Sequence, residues 1–280
     1  MSYIVSPDWL KERMEKNPEE TVIVDTRFQL NDPDAGRRAY LESHIPGAVY
    51  LDLKKDLSSK PEKHGGSHPL PDMDMFAAKL GKIGIDNDTT VVSYGKTNDI
   101  FPARLWWLLH YMGHDKVYVL DGGYDRWVAE GHSVTDEIPI SKKKEFKPQY
   151  RHEEVVDMKQ VKEKLADDTA ILIDSRSRDR YLGKTEPMHP KAGHIPGAKN
   201  MFWKGVLDAD GHWKNVDELK EHFADLPKDE EIIVSCGSGV SATPNIMGLK
   251  MAGFKNIKLY PGSYSDWISY DENEVETKEE

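Results

Sequence analysis

The chain is written twice, and a repeat of domain length constrains its fold more than any other feature. Ser43-His44-Ile45-Pro46-Gly47-Ala48 returns as Gly193-His194-Ile195-Pro196-Gly197-Ala198, the histidines 150 positions apart (194 − 44). Upstream, Val22-Ile23-Val24-Asp25-Thr26-Arg27 returns as Ile171-Leu172-Ile173-Asp174-Ser175-Arg176. Downstream, Asp121-Gly122-Gly123-Tyr124-Asp125-Arg126-Trp127 returns as Pro261-Gly262-Ser263-Tyr264-Ser265-Asp266-Trp267. Three blocks in one order, drifting only where loops can lengthen, are most simply two copies of one domain.

Each copy has the same grammar. A short apolar run ends in Asp-x-Arg, and the His-Ile-Pro-Gly-Ala block follows. A helical stretch comes next, Asp74 to Leu80 or Val216 to Phe223. A second apolar run, Thr89 to Tyr94 or Glu231 to Cys236, precedes another helix. A third, Lys116 to Leu120 or Ile257 to Tyr260, leads to the Gly-x-Tyr-x-x-Trp block. Strands alternating with helices imply an α/β fold, and short all-apolar strands imply a buried parallel sheet flanked by helices. The expected domains are 1–140 and 153–270. A Pro- and Lys-bearing linker at 141–152 would join them, and an acidic tail at 271–280 would be frayed.

Composition narrows the function classes. With 38% hydrophobic residues and seven Trp the chain can build proper cores. A net charge of −11 disfavours nucleic-acid phosphates and anionic membrane surfaces. One cysteine excludes an internal disulfide and suits a reducing, cytoplasmic setting. The start of the chain lacks a secretory pattern, and no apolar run reaches bilayer length. Two copies within one chain are compatible with a monomer.

The copies differ where chemistry would sit. Val91-Val92-Ser93-Tyr94-Gly95 aligns with Ile233-Val234-Ser235-Cys236-Gly237, so one copy carries a phenol where the other carries the thiol. After Cys236 the chain reads Gly237-Ser238-Gly239-Val240-Ser241-Ala242. A glycine-rich strand-to-helix turn gathers backbone N–H groups into a bowl that binds anions and favours a thiolate at its rim. A lone buried cysteine is ordinarily an inert apolar residue; the turn is what favours a nucleophile here. No Cys or His pair has ligand spacing near Cys236. His64 and His68 are four apart on a Gly-Pro-rich loop rather than a helix, so neither metal nor organic cofactor is expected.

Taken together, the paired His-Ile-Pro-Gly-Ala and Gly-x-Tyr-x-x-Trp blocks and the Cys-Gly-Ser-Gly-Val-Ser loop resemble the tandem rhodanese-type sulfurtransferases. The resemblance covers nearly the whole chain. It implies two rhodanese-like domains, the second catalytic, and transfer of a sulfane sulfur through a Cys236 persulfide. The amides of Gly237, Gly239, Val240 and Ser241 would cradle that anion. The family's usual donors are thiosulfate and 3-mercaptopyruvate. Thiosulfate enzymes carry cations just after the cysteine; here Gly237 and Ser238 are neutral, which resembles the mercaptopyruvate branch. By the same resemblance Arg180 would hold the donor carboxylate. Lys191 would stand in for a second arginine after Thr185-Glu186-Pro187. Asp56 and His68 would join Ser238 in a proton relay to the leaving enolate. The sulfur would pass to a thiol, cyanide or a thioredoxin-like protein. His44, His194, Arg176, Trp127 and Trp267 have counterparts in both copies and so read as structural.

Two other readings use the same loop. A cysteine phosphatase needs an arginine closing the Cys-x5 turn, where this chain has Ala242. A sulfur-carrier or regulatory module would keep the loop but not turn over.

Overall fold

The apolar runs that end in Asp-Thr-Arg and Asp-Ser-Arg both become central parallel strands in the computed structural model, which describes residues 2–278. Met1, within the N-terminal stretch read for a targeting signal, and Glu279 and Glu280 of the acidic tail lie outside the described residues. The chain divides into two units. Unit 1 takes residues up to Ser59, Leu70–Arg151 and Leu207–Trp213; unit 2 takes Lys60–Pro69, His152–Val206 and the chain from Lys214 onward.

Unit 1 runs β1 (Ile4–Val5), α1 (Pro7–Lys16), β2 (Thr21–Asp25), α2 (Ala35–Glu42), β3 (Val49–Tyr50), α3 (Met73–Lys82), β4 (Thr90–Tyr94), α4 (Phe101–Tyr111), β5 (Val117–Leu120) and α5 (Gly123–Ala129). Its sheet is wholly parallel, in the order β1-β5-β4-β2-β3. All five residues of β4 are buried, and so is every residue of α4, which packs on β4 and β5. Burial on both faces explains why β4 reads as an apolar run rather than an alternating one.

Unit 2 runs α6 (Met158–Ala166), β6 (Ala170–Asp174), α7 (Arg178–Tyr181), β7 (Lys199–Asn200), α8 (Val216–His222), β8 (Glu231–Ser235), α9 (Thr243–Met251), β9 (Ile257–Leu259) and α10 (Ser263–Trp267). Its sheet is also wholly parallel, in the order β7-β6-β8-β9. Local sequence sets the helix starts. Asp157 with Gln160, and Asn215 with Glu218, form reciprocal capping boxes at α6 and α8. Pro102 and Pro244 sit in the opening turns of α4 and α9, where a missing N–H costs nothing.

The repeated motifs converge on one structural pin in each unit. Arg27 clasps Asp25 at 2.6 Å and donates to the Ser43 carbonyl at 2.7 Å; Arg176 clasps Asp174 at 2.6 Å and donates to the Gly193 carbonyl at 2.7 Å. Each guanidinium lies over the tyrosine of the third block, Arg27 over Tyr124 at 4.1 Å and Arg176 over Tyr264 at 3.9 Å. Within the His-Ile-Pro-Gly-Ala block, Ala48 N–H reaches Ile45 C=O at 2.9 Å and Ala198 N–H reaches Ile195 C=O at 3.1 Å. Gly47 and Gly197 take φ of 79° and 75° there, the third position of a proline-led turn that glycine fills without strain. His44 and His194 bond the carbonyls of Tyr40 and Tyr181, and the indole N–H groups of Trp127 and Trp267 donate to Ser133 and Glu274 carbonyls. What recurs is therefore a brace. Removing either buried partner of such a clasp would strand a charge, at about 3–5 kcal/mol.

The boundaries differ from those expected. Residues 141–151 are not a free linker: Lys144 N–H bonds Gly81, Gln149 N–H bonds Met112, Arg151 N–H bonds Tyr111, and Phe146 is buried. One aromatic anchor outweighs the polar composition that reads as linker. Lys60–Pro69 leaves the first half for unit 2, and Leu207–Trp213 leaves the second half for unit 1. The tail is packed as far as it is described: Glu276 exchanges backbone bonds of 2.8 and 2.9 Å with His194, and Asn273 is buried.

Candidate active site

Strand β8 lies between β6 and β9 and closes at Ser235, one residue short of the expected end, so Cys236 is the first residue of the turn. The crevice at the carboxyl ends of parallel strands is where open α/β sheets bind ligands. Cys236 is pinned through its main chain. Its N–H donates to Ser263 Oγ at 3.0 Å, its carbonyl accepts Tyr264 N–H at 3.0 Å, and the Gly237 carbonyl accepts Ser265 N–H at 2.9 Å.

The sulfur meets an amide. Gly239 N–H donates to Cys236 Sγ at 3.1 Å. Gly239 has φ of 76°, and a β-carbon there would lie 2.2 Å from the Pro261 carbonyl oxygen, so only glycine lets the loop curl back over the thiol. Among the described residues, the N–H groups of Gly237, Ser238, Val240, Ser241 and Ala242 have no acceptor within the protein. With the amino end of α9 just beyond, the loop is a ready anion site.

Segment 64–68 supplies the next group. Gly65 N–H bonds Asp266 Oδ1 at 2.7 Å, Ser67 N–H bonds Ser265 Oγ at 3.0 Å, and His64 Nδ1 lies 2.7 Å from Ser269 Oγ. These ties present a buried His68 whose Nδ1 is 2.8 Å from Ser238 Oγ. Asp56 belongs to unit 1, where it accepts Asp52 N–H at 2.8 Å and pairs with Lys79 at 3.0 Å.

The cations are organised by a carboxylate that sequence reasoning left without a role. Glu186 bridges Arg180, at 2.8 and 3.1 Å, and Arg176, at 3.2 Å. Burial pushes the Glu186 carboxyl up, but Arg180 and the Met188 amide outweigh this and hold it below the usual range. Arg176 is fully buried and serves the brace, whereas the Arg180 side chain is partly exposed. Arg180 faces the loop: a β-carbon on Gly237 would lie 3.5 and 3.7 Å from its Nη2 and Nη1. Lys191 comes into this neighbourhood through its main chain, its carbonyl accepting the Tyr264 hydroxyl at 3.2 Å. Val240 is buried and Ser241 half-buried in the loop. Ser263 and His189 also went unassigned; His189 stands in the quoted Thr185–Lys191 stretch, yet only the fold brings it to Gly237.

The rhodanese-like domain model matches residues 6–130 and 157–270. A Pseudomonas aeruginosa protein named "Probable 3-mercaptopyruvate sulfurtransferase" is 39% identical over 264 residues, covering 92% of this chain and 93% of its own. The thiosulfate sulfurtransferase of Cricetulus griseus is 33% identical, covering 95% of this chain and 91% of its own. The crystal structure of a 3-mercaptopyruvate sulfotransferase from Escherichia coli superposes with a TM-score of 0.81 at 31% identity, covering 95% of this chain and all of that one. The chain belongs to the tandem-domain rhodanese-type sulfurtransferases, the mercaptopyruvate/thiosulfate sulfurtransferase family.

Proposed function

We propose that this sulfurtransferase takes sulfur from 3-mercaptopyruvate onto Cys236 and passes it to a thiol, cyanide or a thioredoxin-like protein. The observation that carries the reading is the Gly239 N–H on Cys236 Sγ, in a loop whose remaining amides are unengaged. An anionic persulfide on Cys236 would find donors already oriented by Gly237, Gly239, Val240 and Ser241, with no reorganisation during the reaction. Arg180 takes the donor carboxylate with the guanidinium edge that Glu186 leaves open, and Lys191 adds positive charge nearby. Ser238 and His68 move the proton that the enolate carbon requires. The scheme is ping-pong: donor product leaves before the acceptor binds.

Mercaptopyruvate is favoured over thiosulfate because positions 237 and 238 carry no cation. A thiosulfate dianion would lack the charge-assisted bonds it needs there. One free cysteine goes with a cytoplasmic location. No helix of the described residues is long and apolar enough to cross a membrane.

Steady-state rates with the two donors, measured side by side with cyanide as acceptor, test the donor. The expected result is a kcat/KM for mercaptopyruvate at least tenfold above that for thiosulfate. A higher value for thiosulfate would reverse the assignment, and sulfur loading without repeated release would make the protein a carrier.

A further inference from the structure

We propose that His189 is a catalytic hydrogen-bond donor to the keto oxygen of the sulfur donor, beside Arg180 on its carboxylate. The proposal deepens the mercaptopyruvate reading and rests on it.

The half-buried imidazole of His189 turns toward the cysteine loop. Its Nε2 is buried and has no hydrogen-bond partner among the described residues. A buried polar nitrogen left unpaired costs about 1–3 kcal/mol unless a ligand satisfies it. Its ring stands edge-on to that of Tyr264 at 5.9 Å, which gives the nitrogen nothing to bond. The direction of that nitrogen is informative. A β-carbon built on Gly237 would lie 3.2 Å from His189 Nε2 and 3.5 Å from Arg180 Nη2. The imidazole and the guanidinium thus converge on one point above the residue that follows Cys236. An α-keto acid presents a carboxylate oxygen and a keto oxygen side by side on one edge. The pair of protein groups matches that edge, and thiosulfate develops no enolate oxygen on which the second could act in the transition state.

The charge state suits the role. Burial holds the His189 imidazole below the ordinary histidine range, and Arg180 and Arg176 push it further down against the pull of Glu186. A neutral imidazole near two guanidiniums donates a hydrogen bond without adding a third positive charge. Glu186 is already committed to both arginines, so it does not draw the imidazole away from substrate.

The step balances without a further reactant. The Cys236 thiolate attacks the donor sulfur and forms the S–S bond. The C–S bond breaks, its electron pair passing to the methylene carbon and out to the keto oxygen as an enolate. His189 Nε2–H donates to that oxygen as its charge grows. The proton carried by the transferred sulfur then goes through Ser238 and His68 to the enolate carbon. Pyruvate leaves, and the persulfide remains as the anion.

The test compares donors in two variants, His189→Ala and His189→Gln, the latter keeping an N–H near the Nε2 position. With mercaptopyruvate, His189→Ala should lose about 10²-fold in kcat and in kcat/KM alike, the size of one oxyanion donor. With thiosulfate it should stay within about twofold, because sulfite leaves without an enolate. His189→Gln should recover at least tenfold of the mercaptopyruvate loss. Equal losses with both donors, or full mercaptopyruvate activity in His189→Ala, would overturn the role. A wild-type enzyme that uses thiosulfate but not mercaptopyruvate would instead remove the donor reading itself, and this role with it. Persulfide loading of each variant from thiosulfate, read by intact mass, reports that the loop is still folded.

Discussion

The loop after β4 and the loop after β8 occupy matching places in the repeat and are folded differently. Both leave a buried parallel strand and enter a helix with proline in its opening turn. In unit 2 the turn keeps its amides open around a thiol. In unit 1 it closes on its own side chain: Asp99, aligned with Ser241, accepts Lys96 N–H at 3.2 Å and Ile100 N–H at 2.8 Å. Its carboxylate also fills the space over Gly95, where a β-carbon would meet Oδ2 at 2.5 Å. The Tyr94 hydroxyl at the nucleophile's position is spent on Asp25, at 2.8 Å. One turn folds around its own carboxylate, and the other keeps its amides, Gly239 aside, clear of any side chain among the described residues. The copies therefore differ both in the group at the end of the strand and in what fills the turn.

The largest effect should come from Gly239→Ala. The added β-carbon meets the Pro261 carbonyl and the residue is forced to positive φ, so the amide on the sulfur must move. Sulfur loading should fall by about 10²-fold or more, measured as the rate of persulfide formation. The corresponding position in unit 1 is Thr97, which is free of the positive φ that Gly239 takes and so carries a side chain. Next is Ser238→Ala, which breaks the contact with His68. It should slow mercaptopyruvate turnover by about 10²-fold, the low end for a lost proton relay, and spare thiosulfate. Equal loss with both donors would reduce Ser238 to a turn residue.

The Tyr94→Cys exchange challenges the comparison directly. If Asp99 fills the unit 1 turn, a thiol placed at position 94 should take up no sulfur from mercaptopyruvate, as judged by peptide mapping of the treated protein. Uptake there would show that the open bowl is not what confers reactivity.

The smallest effect is on stability. Burial pushes the Asp99 carboxyl up to about 7, against three backbone N–H groups that favour the charge. The folded state then holds a proton that the unfolded chain releases near pH 4, so stability falls as pH rises between those values. Above pH 7 the cost is fully present, a few kcal/mol at most. Asp99→Asn keeps an acceptor for the amides and removes the ionisation. Its melting temperature should gain on wild type from pH 5 to pH 8; a constant difference would place the Asp99 carboxyl in the ordinary range.

Much of this was legible in the sequence because it is local. Apolar runs and the Gly- and Pro-bearing turns between them fix strands and helices within a residue or two, and the repeat shows their order twice. Cys236 and its glycines could be read because glycine at a strand-to-helix turn has few other uses. Glu186 and His189 were in plain view, but their partners are set by how the 185–191 stretch folds over Gly237. Nothing in the neighbours of Asp99 says that its side chain turns over Gly95. Segment 60–69 lacks periodicity of either kind, so no local signal tells that it joins unit 2 through Ser265, Asp266 and Ser269.

The most direct measurement is the intact mass of wild type and Cys236→Ser after treatment with mercaptopyruvate and removal of excess donor. The account predicts one added sulfur atom on the wild-type chain, mapped to Cys236 and discharged by cyanide, and none on the variant. An unmodified wild type, or an adduct that survives in Cys236→Ser, would contradict it.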